Sequence, residues 1–270
     1  MYSLDNSLLE INCKYDAHKQ LFDLHDNPLI RFLETNKSIA DHLECSIKIA
    51  ESNIFPNRYN LWFRGTIVQG MQMIKTFLDD QEKIESIKFN YELINSYLEK
   101  CNKALSLIMV FGVDLRADKQ SSRYKIWFIY PNEGSLFSEI VNLYPQELRA
   151  LFNTKVLLLG FDLGFDGSTK LKTYPVLTEE LLYERNFAIL ESYFGARTGL
   201  LIRNSKRIHI SKSGIDNFII HFQPRDIAVF NECIQNKRYH EIIQSVVPRL
   251  ISLNVSEIEK ANIQNVNVYC

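Results

Sequence analysis

Residues 156–174 read VLLLGFDLGFDGSTKLKTY, and the change of period inside this stretch decides the fold. Two runs of strand-forming residues meet at Asp166-Gly167, where glycine supplies the positive φ of a tight turn. In the second run Lys170, Lys172 and Tyr174 alternate with Leu171 and Thr173. One face therefore carries two cations and a phenol, while the other is neutral and smaller. The stretch predicts a β-hairpin with one polar face.

Working outward, four more hairpins of this kind can be read. Upstream, Glu44, Ser46 and Lys48 alternate with Cys45, Ile47 and Ile49. After a turn expected at Pro56-Asn57, Arg58, Asn60, Trp62 and Arg64 alternate with Tyr59, Leu61 and Phe63. A second hairpin joins 107–116 to 123–130, with Gly112, Asp114 and Arg116 on one face and Arg123, Lys125 and Trp127 on its partner. Downstream, 207–212 pairs with 218–223 around Ser213-Gly214, and 253–259 pairs with 263–269.

Helical patterns separate the hairpins. Ile67, Met71, Ile74 and Leu78 form one apolar stripe, and Ile94, Tyr97, Leu98, Cys101 and Leu105 form the next. A helix pair over 135–152 is split at Pro145. Thr178 reads as an N-cap and Gly195 as a stop; Pro224 and Asp226 open a last helical stretch. Residues 1–40 form an outer helical layer broken at Pro28. Five hairpins at intervals of about fifty to sixty residues with helices between them are a repeat. They predict one α+β domain over 1–270: ten antiparallel strands closed into a barrel with polar residues inside and an outer ring of helices. The paired strands exclude a TIM barrel.

The bulk properties are those of an ordinary soluble chain. Of 270 residues, 46% are apolar and 23% charged, and the formal net charge is −1, so no global field draws the chain to nucleic acid. No apolar run is long enough for a membrane span, and the N-terminus lacks the apolar core of a signal peptide. Five scattered cysteines without a CxxC pair fit a reduced cytoplasmic protein and neither a disulfide framework nor a zinc site.

Any cationic site must then be local, and the polar strand faces supply one. Basic residues outnumber acids there and aromatics interleave. Lys and Arg would hold phosphate oxygens, and aromatic faces would stabilise a carbocation and exclude water. An allylic diphosphate has both parts. Taken singly, a strand lysine is ordinarily a solvated charge and a lone tryptophan ordinarily core. Asp162 and Asp166 look like a metal pair, but the turn accounts for Asp166. No Walker loop, GxGxxG, GxSxG or HExxH is present. The residues alone thus predict an anion-binding antiparallel barrel.

The segments LECSIKI (43–49), NRY (57–59), GVDLR (112–116), SSRYKIWF (121–128), LLGFDLGFDG (158–167), ISK (210–212) and NIQNVNVY (262–269) resemble the cyanobactin prenyltransferases. The resemblance covers nearly the whole chain from about residue 40. It implies the ABBA prenyltransferase barrel and transfer of a dimethylallyl group from dimethylallyl diphosphate to a side chain of a macrocyclic or linear ribosomal peptide. Tyrosine is the acceptor favoured by the resemblance, with Trp, His or Arg as alternatives. It further implies Glu44 as the catalytic acid residue that acts as base or orients the acceptor, Arg58, Lys125, Lys172, Lys212 and His221 as diphosphate ligands, and Trp127, Tyr174 and Tyr269 as shields of the prenyl cation. Lys172 departs from the close family and Trp127 from the wider ABBA group. Mg²⁺ is the implied cofactor, and a cytoplasmic monomer the implied state. The competing expectation is a barrel that binds an anion or peptide without catalysis.

Overall fold

Pro28 sits one residue before a helix, where its fixed φ is tolerated and its missing N–H costs nothing. It separates α1 (Leu4–Leu21) from α2 (Leu29–Thr35). These elements come from a computed structural model that describes residues 4–25, 27–101, 106–131, 135–152, 156–212 and 217–270. Each of the first four hairpins is followed by helices. β1 (Ala40–Ala50) and β2 (Asn53–Thr66) precede α3 (Ile67–Glu85) and α4 (Glu92–Leu98). Thr66 and Gln69 close a reciprocal capping box on α3, which satisfies donors the first turn leaves open. The stripe Ile67, Met71, Ile74 and Leu78 is buried as its spacing predicts.

β3 (Ser106–Asp114) and β4 (Arg123–Pro131) are followed by α5 (Ser135–Val141) and α6 (Gln146–Arg149). β5 (Val156–Gly164) and β6 (Thr169–Thr178) are followed by α7 (Glu184–Phe194) and α8 (Ala196–Arg203). β7 (Ser205–Lys212) and β8 (Phe218–Pro224) precede α9 (Ile227–Cys233) and α10 (Lys237–Ile242). The chain ends with β9 (Leu250–Asn254), α11 (Val255–Glu259) and β10 (Asn265–Tyr269). The expected turn at Asp166-Gly167 is present, with Gly167 at φ +80° and Asp166 Oδ1 accepting from the Ser168 amide and hydroxyl. The hydrogen-bonded order β1-β10-β9-β8-β7-β6-β5-β4-β3-β2 returns to its start, so the ten antiparallel strands form a closed barrel accompanied by eleven helices among the described residues. No helix among the described residues is long and apolar enough to cross a membrane.

Four local expectations are corrected. The first turn falls at Glu51, whose φ is +53°, and not at Pro56-Asn57. Asn53, Ile54 and Phe55 extend β2, and Pro56 is accommodated within it because a strand tolerates proline where no ladder donor is needed. Thr178 is the last residue of β6, paired with Arg207, so the helix begins at Glu184. Residues 255–259 are helical because the Asn254 side chain accepts from Ser256 N and caps α11; the last hairpin is thereby cut to five residues a strand. α4 stops at Leu98. Residues 102–105, at the end of its expected extent, and the Ser213-Gly214 turn lie outside the described residues.

The chain gathers into two compact units. The first comprises 1–46, 55–130 and 159–172; the second comprises 47–54, 131–158 and 173–270. In the first, the outward residues of β2 and β3 meet the helices through an aromatic cluster. Phe32 lies 4.8 Å from Phe111 and 5.5 Å from Phe77, and Phe111 stacks on Tyr124 at 5.6 Å. Each such ring removed from water contributes roughly 1.5–3 kcal/mol. In the second unit Ile208, Ile210, Ile220, Phe222 and Ile251 are fully buried. The alternating residues on the opposite strand faces are left to build a site.

Candidate functional site

Strand register orders the polar residues of the first unit into rungs. Arg58 pairs with Asp114 and Asp114 with Arg123; Asn60 pairs with Gly112 and Gly112 with Lys125; Trp62 pairs with Val110 and Val110 with Trp127. Residues two apart on a strand share a face, so an ionic rung, a mixed rung and an aromatic rung follow one another along one wall.

The ionic rung is organised around Asp114, which is fully buried. Its carboxylate meets Arg116 Nε at 2.8 Å, Arg123 Nη2 at 2.9 Å, Arg58 Nε at 3.4 Å and Lys125 Nζ at 3.6 Å. Asp162 Oδ2, on β5, binds Lys172 Nζ at 2.5 Å and Arg123 Nη1 at 3.3 Å. Burial pushes the Asp114 carboxyl up, but Arg58, Lys125, Arg123 and Arg116 overcome it and hold the group well below the ordinary carboxylate range. Asp162 is lowered in the same way, with Lys172 the strongest opposing charge. The Lys125 pKa is also lowered, well below the usual lysine value, first by burial and then by Arg58, which favours its neutral form. Five basic side chains thus gather around two carboxylates in a setting where charge is poorly solvated.

Beside this cluster, Glu44 Oε1 accepts from Asn60 Nδ2 at 2.6 Å. Burial raises the Glu44 pKa, and the hydrogen bond from Asn60 only partly offsets the rise. The next rung is aromatic. Trp127 lies 5.6 Å from the Lys125 ammonium and is pressed against Gly160, where a Cβ would stand 2.3 Å from the indole. Gly112 has equally little room, its Cβ position lying 2.3 Å from Asn60 Oδ1. The two glycines give the wall a flat floor on which the indole and the Asn60 amide rest.

The second unit carries a smaller polar row. Register sets Val176 opposite His209, His209 opposite His221, His221 opposite Ser252, and Ser252 opposite Asn267. The His221 ring meets Ser252 Oγ through Nδ1 at 2.6 Å and Ser211 Oγ through Nε2 at 3.1 Å, and it meets Tyr174 edge-on at 5.2 Å. Burial, with Arg207 and His221 nearby, lowers the His209 pKa well below the usual value and keeps that ring neutral.

Of the residues singled out from sequence, Glu44, Arg58, Lys125, Lys172 and Trp127 come together in the first unit. His221 and Tyr174 meet in the second. Lys212 ends β7 opposite Phe218, and Tyr269 ends β10 opposite Leu250; both are half-buried. Sequence reasoning set Asp114, Arg116 and Arg123 on polar strand faces and weighed Asp162 as half of a metal pair, but made none of them a diphosphate ligand. Alternation placed Arg123 on the face of Lys125, but no local pattern announces a carboxylate as the hub of four cations. Among the described residues, no group of three or more His, Cys, Asp or Glu could hold a metal ion by itself. Asp162 Oδ1, buried and without a hydrogen-bond partner among the described residues, is an oxygen of the kind Mg²⁺ takes together with substrate phosphates.

No curated protein matches the chain. Residues 11–270 match the profile of a family of unknown function, DUF5838, and the chain belongs to that family.

Proposed function

We propose that this protein is a peptide prenyltransferase that moves a dimethylallyl group from dimethylallyl diphosphate to a side chain of a ribosomal peptide. The single observation that carries the reading is the gathering of five basic side chains around Asp114 and Asp162, set two rungs from an aromatic wall. A cluster richer in basic than in acidic groups suits a polyanion, and an alkyl diphosphate brings about three charges at neutral pH. Arg58, Lys125 and Lys172 would take its oxygens, while Trp127 lies where the attached hydrocarbon would follow the wall. The resemblance of the strand motifs to the cyanobactin prenyltransferases supports the same donor.

The reaction is a dissociative substitution. The allylic C–O bond breaks and its electron pair leaves with the diphosphate, whose developing charge the cations stabilise. The indole face stabilises the allyl cation, and the acceptor heteroatom bonds to the allylic carbon. Glu44 takes the proton the acceptor loses; its raised pKa suits it to hold one. Asn60, which donates to Glu44 Oε1, is a positioning residue. Asp162 Oδ1 would hold Mg²⁺, which when bound supplies further neutralisation of the leaving group. A cytoplasmic setting accords with an isoprenoid diphosphate donor and free cysteines.

The test is mass spectrometry after incubation with dimethylallyl diphosphate, Mg²⁺ and cyclic peptides bearing Tyr, Trp, His or Arg. A mass gain of one isoprenyl unit on a peptide is expected. Tight binding of an unreactive thio-analogue of the donor with no transfer to any peptide would instead leave an anion-binding barrel without catalysis.

A further inference from the structure

On the far side of Asn60 from the ionic rung, β1 and β2 set two rings together. His42, two residues before Glu44, stacks on Trp62, two residues beyond Asn60, with centroids 4.9 Å apart and planes 19° from parallel. The stack lies across a boundary. The His42 side chain is 45% exposed, whereas Trp62 Nε1 is buried and has no hydrogen-bond acceptor among the described residues. A buried donor left unmade is costly, and a phenylalanine would fill the place without that cost. Two residues further along β2 Arg64 is exposed, and the half-exposed His42 opens the outer face of the stack to solvent. The order along the wall is therefore phosphate-binding cations, then Glu44 held by Asn60, then an aromatic pair with an unused N–H.

Resting on the prenyl-transfer reading, we propose that His42 and Trp62 form the acceptor subsite, and that it takes a ring whose heteroatoms both donate and accept a hydrogen bond. The ring packs on the stack, donates its proton towards Glu44 and accepts from Trp62 Nε1–H. Phenol and imidazole satisfy both demands. Indole and guanidinium only donate, so they leave the Trp62 N–H unmet and are selected against.

The experiment is calorimetry of paired cyclic peptides, identical except for Tyr or Phe at the acceptor position, with no donor present. The wild-type protein is expected to bind the Tyr peptide about 5- to 10-fold more tightly, the range one neutral hydrogen bond supports. Trp62→Phe should remove that discrimination while leaving affinity for the thio-analogue of dimethylallyl diphosphate unchanged. Loss of thio-analogue binding in Trp62→Phe would mark a folding defect. His42→Ala, at a half-exposed position, then serves as the second variant and should weaken both peptides without touching the donor. Equal wild-type affinity for both peptides, discrimination that survives in Trp62→Phe, or peptide binding indifferent to His42→Ala overturns the subsite. Failure of the wild-type protein to bind the thio-analogue overturns the prenyl reading instead, and peptide binding still reports on the stack by itself.

Discussion

At the scale of the residue, Glu44 shows how position confers chemistry. The sequence marks it as an acid on a polar strand face, but its place beside Asn60 depends on the turn falling at Glu51 and not at Pro56-Asn57. Its raised pKa has no signature in sequence, because the cause is burial by residues far along the chain. The sign follows from the folded protein binding this proton more tightly than the unfolded chain does. This group alone therefore favours folding below the usual carboxylate range of about 4.3 and costs stability as pH rises through its raised pKa. Catalysis needs the ionised form, so transfer is expected to increase with pH through that value and then level. Glu44→Gln should abolish the acid limb of the rate profile and lower turnover by about 10²- to 10⁴-fold, with donor-analogue affinity unchanged by calorimetry. Wild-type turnover in that variant would remove Glu44 from the mechanism.

At the scale of the element, the hairpins were legible because a period of two with polar and apolar faces survives in short windows. The first four appear where alternation sets them. Their ends were less legible. Proline at 56 and threonine at 178 are punctuation by type, yet β2 runs through Pro56 and ladder pairing carries β6 up to Thr178; the Asn254 cap turns residues 255–259 into a helix despite their apolar content. The contact of Gly160 with Trp127 depends on the neighbouring β4, so no reading of β5 alone finds it. Gly160→Ala places a methyl against the indole. The expected cost is about 1–3 kcal/mol of unfolding free energy in a denaturant titration, as for other overpacked sites. Displacement of the ring should also weaken dimethylallyl thio-analogue binding while sparing inorganic pyrophosphate, which does not need the indole. An alanine variant as stable as the parent would show that Trp127 has somewhere else to go.

At the scale of the whole molecule, a net charge of −1 conceals five basic side chains gathered around Asp114 and Asp162 in the first unit. Bulk composition pointed away from a polyanion, and only the strand faces pointed towards one. The hub of the cluster makes this testable without a peptide. Between the ordinary carboxylate pKa and the lowered value of Asp114, the unfolded chain holds the extra proton, so stability contributed above that window is lost as pH falls through it. Asp114→Asn removes the charge at every pH. It leaves Arg58, Arg116 and Lys125 buried without the carboxylate they share, and a cost of about 3–5 kcal/mol is expected. For a chain of this size that lowers the thermal midpoint by about 10 °C. An anion that occupies the cluster replaces part of the missing charge. Inorganic pyrophosphate should therefore raise the midpoint of Asp114→Asn by several degrees more than it raises that of the wild-type protein, through binding linkage to the folded state. Because the groups are buried, added sodium chloride at matched ionic strength should not reproduce the effect. If pyrophosphate shifts both proteins equally, or neither, the cations around Asp114 are a structural lattice complete in itself, and a diphosphate has no place among them.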